Sequence, residues 1–510
     1  MHWKDSLPDW YVKKYGRQPC VNIGTAGHVD HGKTSLIQAL TGKWTSVHSQ
    51  ELKRGITIRV GYSDAAFYKC PKCESPANYS SSTECPNCKA KTELSRVVSF
   101  VDSPGHESLM ENMLSGSALM DGAILLVAAN EKVPQPQSKE HLLALQTLGI
   151  TQIVIVQNKV DLISYKEALT NYSDITKFIK GTNASKSPIV PVSAQSGLNL
   201  DALISTIENN IQTPERDESK NSVLHVLRSF DINKPGSMIQ EMNGGVIGGS
   251  LTQGIFNVGD EIEIKPGLNN DKKQNYEPIH TEIVSLGTGA GTVDSVKPGG
   301  LVAIGTKLDP TLTRGDSLLG SVVGKPDSLP DNSNNAKLEV SLFDSAVGST
   351  NEEKITPIKT GENLRVNIGT APILGKVTNV KSENIELSFK RPVCLFEKSN
   401  VAISRRISER WRLIGAVPIF TRRFSPVLIG VIFSSLAEPT AESNKLTSNF
   451  ALLELSGNES GFPTTEPSNE SPLVNVGSNF VPIATNPPGF TESTVPAPVP
   501  KETISVWIGS

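Results

Sequence analysis

The N-terminal part of the chain alternates short apolar runs with amphipathic segments, a pattern typical of parallel strands joined by helices. Leu36, Ile37 and Leu40 share one helical face up to Gly42, and a leucine-rich helix is predicted to end at Gly149. An α/β domain is therefore expected at residues 20–213, after an N-terminal extension at residues 1–19. Five apolar runs predict its buried strands: residues 21–23, 97–101, 123–129, 153–156 and 189–192.

Beyond Pro214 the helical periodicity gives way to short strands separated by glycine and proline. The dipeptides Pro266-Gly267 and Pro298-Gly299 predict turns. Two antiparallel β-barrel domains are therefore expected, at residues 222–325 and 336–418. Their predicted strands are residues 222–232, 244–247, 260–264, 300–304, 337–343, 363–368, 373–380 and 385–389.

The composition limits the cellular context and the class of partner. The chain has 510 residues, 37% of them hydrophobic, which is too long for one core, so several domains are expected. A formal net charge of −3 excludes a chain that is basic throughout, so RNA contacts have to come from local patches. No apolar run reaches membrane-spanning length and the N-terminus lacks a signal-peptide core, so a cytoplasmic protein with no membrane partner is expected.

A phosphate-binding loop is predicted within residues 24–40, GTAGHVDHGKTSLIQAL, because this segment satisfies the pattern G-x-x-x-x-G-K-[ST] between a strand and a helix. Glycines allow backbone N–H groups to approach phosphate oxygens, the lysine adds a positive charge, and the threonine hydroxyl can bind Mg²⁺. The predicted nucleotide-binding residues of this loop are Gly27, Asp30, His31, Gly32, Lys33, Thr34 and Ser35.

Two further segments are predicted to sense the terminal phosphate. Asp102 ends an apolar strand, where its carboxylate can hold Mg²⁺, and Gly105 can offer its N–H to the γ-phosphate. Thr57 lies between the two phosphate motifs, a position that favours contact with the phosphate and Mg²⁺ over an ordinary strand role. Loss of the γ-phosphate would then release Thr57 and Gly105, as in an order–disorder switch.

The fourth and fifth predicted strands end in the segments NKVD, residues 158–161, and SAQ, residues 193–195. Both are expected at the ligand-binding edge of the sheet. The Asp161 carboxylate can accept hydrogen bonds from N1–H and the 2-amino group of guanine, which adenine cannot donate, so GTP is favoured over ATP. The Ala194 N–H can support the base O6 atom and the Lys159 stem can cover a base face. The predicted base-binding residues are Asn158, Lys159, Asp161, Ser193, Ala194 and Gln195.

Four of the six cysteines form two C-P-x-C knuckles within residues 70–88. Cys70, Cys73, Cys85 and Cys88 have the spacing of a tetrahedral Zn²⁺ site, and four thiolates leave no open position for a water, so a structural zinc is expected. Disulfide pairing is the alternative, which a reducing compartment disfavours. Cys20 and Cys394 are expected to be buried apolar residues.

The motifs GHVDHGKT, RGIT, DSPGHE, NKVD and SAQ, in this order, resemble those of the translational GTPases. The cysteine insertion and the RWRLIGA ending are similar to the γ-subunit family of archaeal and eukaryotic initiation factor 2, a resemblance that covers about residues 18 to 416. It implies hydrolysis of GTP to GDP with Mg²⁺, and a bound Zn²⁺. It also assigns His106 to orienting the attacking water, with a turn-capping role as the alternative.

The same resemblance implies partners. Members of the family carry initiator methionyl-tRNA in the GTP state to the small ribosomal subunit, in a heterotrimer with α and β subunits, and the α subunit is expected on the second β module. The aminoacyl end of the tRNA is expected between the nucleotide domain and that module. Tyr62, beside the first switch, is a candidate for stacking there, although a strand tyrosine is more often a packing residue.

Arginines cluster around Trp411 in the segment ISRRISERWRLIGA. Beside an aromatic ring they can bind phosphates and stack on bases, which makes Arg405 and Arg406 candidate tRNA contacts. Arg405, Arg406, Arg410 and Arg412 can equally line a salt-bridged face between domains. The sequence leaves both interpretations open.

The resemblance does not extend to residues 421–510. An apolar patch at residues 427–433 is followed by a stretch rich in Ser, Thr, Asn and Pro, a composition that does not support a compact core. A disordered tail is therefore expected. A functional tail and a translated reading-frame error both stay open.

Other activities share the plan of a GTPase domain followed by barrels. One is a specialised elongation factor of the selenocysteine type, and another is the GTPase subunit of a sulfate-activating enzyme. The four-cysteine knuckle and the RWRLIGA ending argue against both. A scaffold that hardly hydrolyses GTP is a third possibility, against which His106 weighs.

Overall fold

The computed structural model describes residues 3–45, 61–103, 110–233, 243–270, 275–343, 354–381, 384–396, 399–407 and 410–418. The predicted switch residues Thr57, Gly105 and His106, and the predicted tail at residues 421–510, lie outside the described residues.

The helices begin and end where the sequence provides local signals. Helix α2 stops at Gly42, which has a left-handed φ of 71°, and α4 begins at Pro136. Among the described residues, none of the helices is both long and apolar enough to cross a membrane. The α-helices are α1 (Asp9–Tyr15), α2 (Lys33–Thr41), α3 (Met110–Ser117), α4 (Pro136–Thr147), α5 (Tyr165–Ile179) and α6 (Leu200–Asn210), and 3-10 helices lie at Trp3–Asp5, Val160–Leu162, Pro310–Leu312 and Arg314–Asp316.

The first sheet has seven strands in the order β3-β2-β4-β1-β5-β6-β7. Its strands are β1 (Val21–Gly27), β2 (Gly61–Lys69), β3 (Tyr79–Ser80), β4 (Glu93–Asp102), β5 (Gly122–Ala128), β6 (Ile153–Asn158) and β7 (Ile189–Pro191). Strands β1, β4, β5, β6 and β7 pair in parallel, which confirms the five predicted strands. However, β1 extends four residues further, and β4 begins four residues earlier, than predicted. The carboxyl ends of β1, β4 and β6 therefore lie on one edge of the sheet.

Helices cover both faces of this sheet. On β5, Leu125 packs in a core with leucines of α4, whereas Leu126 packs in a second core with Leu36 of α2. Successive strand side chains point to opposite faces, so a strand that is buried on both faces has to be apolar throughout. This explains why the strands are continuous hydrophobic runs.

The second sheet closes into a barrel because β11 pairs with both β16 and β12 in the order β11-β16-β8-β9-β15-β12-β13. The longest strand of this region, β12, was not predicted from the sequence. The strands here are β8 (Val223–Phe230), β9 (Val246–Gln253), β10 (Phe256–Asn257), β11 (Glu261–Asn270), β12 (Asn275–Thr288), β13 (Gly291–Val293), β14 (Ser295–Val296), β15 (Leu301–Thr306) and β16 (Val322–Gly324).

The turn predicted at Pro266-Gly267 is wrong, since both residues lie inside β11. The pairing of β11 with β12 shifts between Ile264 and Leu268, so these residues form an irregularity of the ladder. Gly267 has a φ of 88°, and a Cβ atom there would lie 1.8 Å from the Glu277 carbonyl oxygen. Glycine is thus needed for a bulge rather than for a chain reversal.

The third sheet has the order β17-β21-β20-β19-β22-β23-β18. Strands β22 and β23, which were not predicted, carry the arginine cluster. The predicted domain start at residue 336 falls inside β17. The strands are β17 (Asn332–Glu339), β18 (Ser341–Leu342), β19 (Asn363–Ile368), β20 (Ala371–Lys381), β21 (Asn384–Cys394), β22 (Asn400–Ile407) and β23 (Arg410–Pro418).

Candidate functional site

The loop between β1 and α2 depends on two glycines. Gly32 has a φ of 89° and ends the loop as the N-cap of α2, and a Cβ atom there would lie 2.4 Å from Nδ2 of Asn158. A Cβ atom at Gly27 would lie 2.4 Å from the Leu126 carbonyl oxygen. The backbone of the loop therefore lies close to β5 and β6. In this position the N-terminus of α2 points at the space where an anion can bind.

Lys33 is buried under this loop. Its ammonium group donates to the carbonyl oxygens of Gly27, at 3.0 Å, and His28, at 2.6 Å. Burial lowers the pKa of Lys33 to about 8, while the negative charges of Asp102 and Asp30 oppose that effect. A buried cation beside a helix N-terminus suits the terminal phosphates of a nucleotide.

Asp102 is the last residue of β4, and its buried carboxylate accepts hydrogen bonds from three threonine hydroxyl groups. Its Oδ2 atom accepts hydrogen bonds from Thr34, at 2.8 Å, and Thr45, at 2.6 Å, and its Oδ1 atom accepts one from Thr25, at 3.2 Å. Burial raises the pKa of Asp102, and the Thr45 hydrogen bond opposes this most strongly. A carboxylate with hydroxyl oxygens is the donor set that Mg²⁺ prefers, so these residues fit the ion.

Thr45 was not found by sequence reasoning. It lies outside every motif, and no hydrophobic period marks it; only the fold brings its hydroxyl to Asp102. The predicted magnesium ligand Thr57 is outside the described residues.

Asn158 connects the phosphate loop to the segment at residues 193–195. Its Nδ2 atom donates to the His31 carbonyl oxygen at 2.8 Å, and its Oδ1 atom accepts from the Ala194 N–H at 3.1 Å. The predicted base-binding segments are therefore brought together. The Ala194 N–H, which was expected to support the guanine O6 atom, is engaged by Asn158.

The remaining predicted base-binding residues lie around this connection. Lys159 adopts a left-handed φ of 63° and leads into the 3-10 helix that carries Asp161, whose side chain is exposed. Ser193 is buried and its hydroxyl oxygen accepts from the Ser196 N–H at 3.3 Å, whereas Gln195 is exposed. The arrangement leaves Asp161 accessible to a planar base.

Histidines pack around the phosphate loop. His31 lies with its Nδ1 atom 2.9 Å from the Leu126 carbonyl oxygen and its Nε2 atom 3.4 Å from Glu131, and burial lowers its pKa to about 4. His141 of α4, another residue that sequence reasoning missed, accepts the Gly27 N–H at its Nδ1 atom, at 2.9 Å. In the sequence, His141 is marked only by its position next to the leucines of α4. The Gly27 N–H, which was expected to face phosphate, is thus used within the protein.

The four predicted zinc-binding cysteines converge. Their Sγ atoms all lie within 4.8 Å of one another, and the Cys70–Cys88 and Cys73–Cys85 sulfur pairs are 3.4 and 3.7 Å apart. These distances exclude disulfide bonds and approach the ~3.8 Å expected between thiolates of a tetrahedral zinc site. Hydrogen bonding, chiefly from the Lys72 N–H, lowers the pKa of Cys70 to about 7, whereas hydrogen bonding with Cys88 raises the pKa of Cys73 to about 12. The convergence of the four sulfur atoms, rather than these pKa values, fits a metal.

The arginine cluster is largely paired within the protein. Arg405 of β22 forms an ion pair with Glu362 at 2.5 Å, and the cross-strand Arg412 of β23 forms a buried ion pair with Glu140 of α4. Arg365 stacks over the Trp411 ring at 4.5 Å. Arg412 therefore joins the third sheet to the first domain, and exposed Arg406 lies on the opposite face of β22 from Arg405.

Tyr62 lies half-buried on β2, packed against the core that contains α4. Its hydroxyl is buried and has no hydrogen-bond partner among the described residues. Burial raises the pKa of Tyr62, and Arg228 of the second sheet has the opposite effect. The residue is thus positioned near the second sheet.

Two families match this chain. Residues 18–213 match "Elongation factor Tu GTP binding domain", and residues 334–419 match "Initiation factor eIF2 gamma, C terminal". The translation initiation factor 2 subunit gamma of Methanosarcina mazei is 53% identical over 400 residues, which are 78% of this chain and 93% of the relative. That of Archaeoglobus fulgidus is 54% identical over 398 residues, which are 78% of this chain and 94% of the relative.

Solved structures show the same fold at lower identity. A bacterial selenocysteine-specific elongation factor has a TM-score of 0.60 and 22% identity, and the match covers 79% of this chain and 59% of that one. Elongation factor SelB from Methanococcus maripaludis, in complex with the GTP analogue GppNHp, has a TM-score of 0.57 and 22% identity, with 80% of both chains covered. The higher identity to initiation factors decides the assignment: the chain belongs to the family of translation initiation factor 2 γ subunits and is a GTP-hydrolysing translation factor.

Proposed function

We propose that this chain binds initiator methionyl-tRNA when GTP is bound, acts together with α and β subunits, and delivers the tRNA to the small ribosomal subunit. The main observation behind the proposal is that Thr34, Asp102 and Asn158 lie together at one edge of the first sheet. In addition, the initiation-factor relatives match this chain over almost their whole length. The proposed nucleotide domain is residues 20–213, followed by β domains at residues 222–325 and 336–418.

The nucleotide would be held by groups with separate tasks. The N-terminus of α2 and the Lys33 ammonium bind the terminal phosphates, with Asp30, His31, Gly32 and Ser35 shaping or lining the loop. Asp161 selects guanine, and Asn158 keeps the base-binding and phosphate-binding segments in register. Thr34 and Asp102 are the proposed magnesium ligands, together with Thr57. Mg²⁺, when bound, would neutralise charge on the phosphates.

The hydrolytic step needs a water in line with the γ-phosphate and no covalent nucleophile. His106 is the proposed residue that orients this water, and Gly105 and Thr57 are the proposed phosphate sensors. Hydrolysis would release both sensors and lower the affinity for tRNA. A ligand can shift this equilibrium only if it binds the two states unequally.

Binding of tRNA is proposed near the junction of the first domain with the β domains. The buried Tyr62 hydroxyl, which has no hydrogen-bond partner among the described residues, marks a candidate contact there. Exposed Arg406 is a second candidate, on the face of β22 opposite Arg405. Arg405 is a further candidate, and its guanidinium already pairs with Glu362. Phosphate binding would have to compete with that ion pair.

The test is to bind the purified protein, with and without the α subunit, to initiator methionyl-tRNA and to elongator aminoacyl-tRNAs. Each tRNA is tested with a non-hydrolysable GTP analogue and with GDP. Tight binding of the initiator alone, in the GTP state alone, is expected. Preferential binding of another aminoacyl-tRNA would indicate elongation, and equal affinities in the two nucleotide states would contradict the switch.

We further propose that Cys70, Cys73, Cys85 and Cys88 hold one structural Zn²⁺. The insertion is tied to the first sheet by pairing of β3 with β2, and Ser75 lies 3.3 Å from Ser205 of α6. Cys73→Ser should abolish stoichiometric zinc measured by elemental analysis, whereas Cys20→Ser, at a buried cysteine outside the cluster, should retain it. Zinc retained by Cys73→Ser would contradict the four-cysteine site.

A further inference from the structure

Helix α4 connects the phosphate loop to the third sheet through two consecutive residues. His141 contacts the loop, and Glu140 contacts Arg412 of β23. Consecutive residues on a helix point about 100° apart, so one turn can bind two different neighbours. Both side chains belong to buried residues, with relative exposures of 1% for His141 and 4% for Glu140.

His141 accepts a hydrogen bond from the Gly27 N–H, a backbone donor that has little chance of finding another acceptor. The Gly27 N–H lies in a buried strand end, where water cannot replace a lost acceptor. Burial lowers the pKa of His141 to about 3, with Lys33 as the next cause, so the ring is neutral at physiological pH. Its Nδ1 lone pair then stays available to Gly27, and the ring proton resides on Nε2.

The Glu140 contact is part of a continuous interface. Ala402 of β22 and Leu413 of β23 share a hydrophobic core with leucines of α4, and Asn367 of β19 donates to the Ser115 hydroxyl of α3 at 3.4 Å. Arg412 is itself 9% exposed, so its ion pair with Glu140 is shielded from solvent screening. A change in docking of the third sheet therefore acts directly on α4.

We propose that His141 is a positioning residue for the phosphate loop, and that the Glu140–Arg412 ion pair makes nucleotide retention depend on docking of the third sheet. This inference rests on the proposed nucleotide site. It predicts that loss of the ion pair accelerates nucleotide release through a movement of α4 that loosens the His141–Gly27 hydrogen bond.

The experiment measures dissociation of a fluorescent GDP from the full chain in His141→Leu, Arg412→Met and the double variant. Loss of an acceptor for a buried N–H should make release from His141→Leu about 10-fold faster. Arg412→Met should accelerate release roughly 5- to 10-fold, the lower part of the range that is typical for coupling between sites. The double variant should release GDP no faster than His141→Leu, because the coupling passes through the missing hydrogen bond.

Three further variants separate coupling from general damage. Lys337→Met breaks the ion pair with Glu386 between two strands of the third sheet and should leave release unchanged. His141→Asn retains an acceptor at the position of Nδ1 and should restore most of the retention. If Arg412→Met does not fold, Glu140→Gln combined with Arg412→Met removes both charges of the buried pair and takes its place in the cycle.

The possible results distinguish coupling, a role in folding alone and failure of the proposed nucleotide site. Multiplicative effects of Arg412→Met and His141→Leu, or an unchanged rate in a folded Arg412→Met, would overturn the coupling. A lower melting temperature with unchanged release would show a role in folding alone. Failure of the unsubstituted protein to retain the fluorescent GDP would instead refute the proposed nucleotide site.

Discussion

At the residue scale, the proposed recognition of guanine rests on the Asp161 carboxylate, which is exposed and follows Asn158 in the chain. Asp161→Asn replaces one acceptor by a donor. We expect GTP affinity to fall by about 1–3 kcal/mol, or roughly 5- to 150-fold, as for loss of a two-point base contact. Xanthosine triphosphate, which carries an oxygen in place of the 2-amino group, should gain affinity. Competition with labelled GDP measures both changes.

The control for that substitution is Asp174→Asn on α5. Asp174 is a partly exposed aspartate that pairs with Lys177 at 3.1 Å, so its substitution changes charge without touching the nucleotide site. An equal loss of GTP affinity in the two variants would show that Asp161 acts only through net charge.

At the scale of single elements, Gly267 within β11 and Gly259 in the turn before that strand form a matched pair of glycines. Gly267 and Gly259 have nearly equal left-handed φ values of 88° and 90°, but only at Gly267 would a Cβ atom clash with backbone. Each alanine substitution should cost about 1–2 kcal/mol for the φ angle. Gly267→Ala should cost about 1–3 kcal/mol more, because the strands have to separate.

Urea denaturation of the two variants checks this difference. The unfolding midpoint of Gly267→Ala should lie clearly below that of Gly259→Ala. Coincident midpoints would mean that the β11–β12 ladder relaxes at no cost and that Gly267 is not required for the bulge.

At the scale of the whole molecule, Asp64 lies where the first domain meets the second sheet. A Cβ atom at Gly289 would lie 1.6 Å from the Asp64 Oδ2 atom, so the backbone near β12 covers this carboxylate. Burial raises the pKa of Asp64 to about 6, an effect that the Ser99 hydroxyl opposes most and the charges of Lys43 and Lys4 oppose less. The folded protein thus holds a proton here more tightly than the unfolded chain does.

Because the pKa of Asp64 is raised in the folded protein, the free energy of unfolding decreases as the pH rises. Stability from protonated Asp64 is fully present below the unfolded pKa of about 4 and is lost as the pH rises to the folded value of about 6. The loss amounts to at most about 3 kcal/mol. Asp64→Asn, which resembles the protonated form, should raise the melting temperature at pH 7 and flatten its change between pH 4 and pH 6. A lower melting temperature for the variant at pH 7 would refute this.

Motifs, strand runs and the cysteine spacing were readable from the sequence, because a phosphate loop, a parallel strand and a knuckle are each specified by neighbouring residues. The strands predicted around Val98 and Ile155 are confirmed for this reason. The strands β12, β22 and β23 were missed, since their polar and charged residues obscure the alternation. Pro266-Gly267 was misread because the same dipeptide serves a turn or a bulge, and only the partner strand distinguishes them.

By itself the sequence determined the chemistry available to this chain: a phosphate-loop motif, a carboxylate at a strand end, an aspartate with two acceptors that guanine can use, and four thiols. Tertiary structure alone decided which distant side chains complete the site. Thr45 reaches Asp102, His141 takes the Gly27 N–H, and Glu140 pairs with Arg412. The physical reason is that a hydrogen bond or ion pair between remote residues depends on how sheets and helices pack, and packing leaves no local period in the sequence.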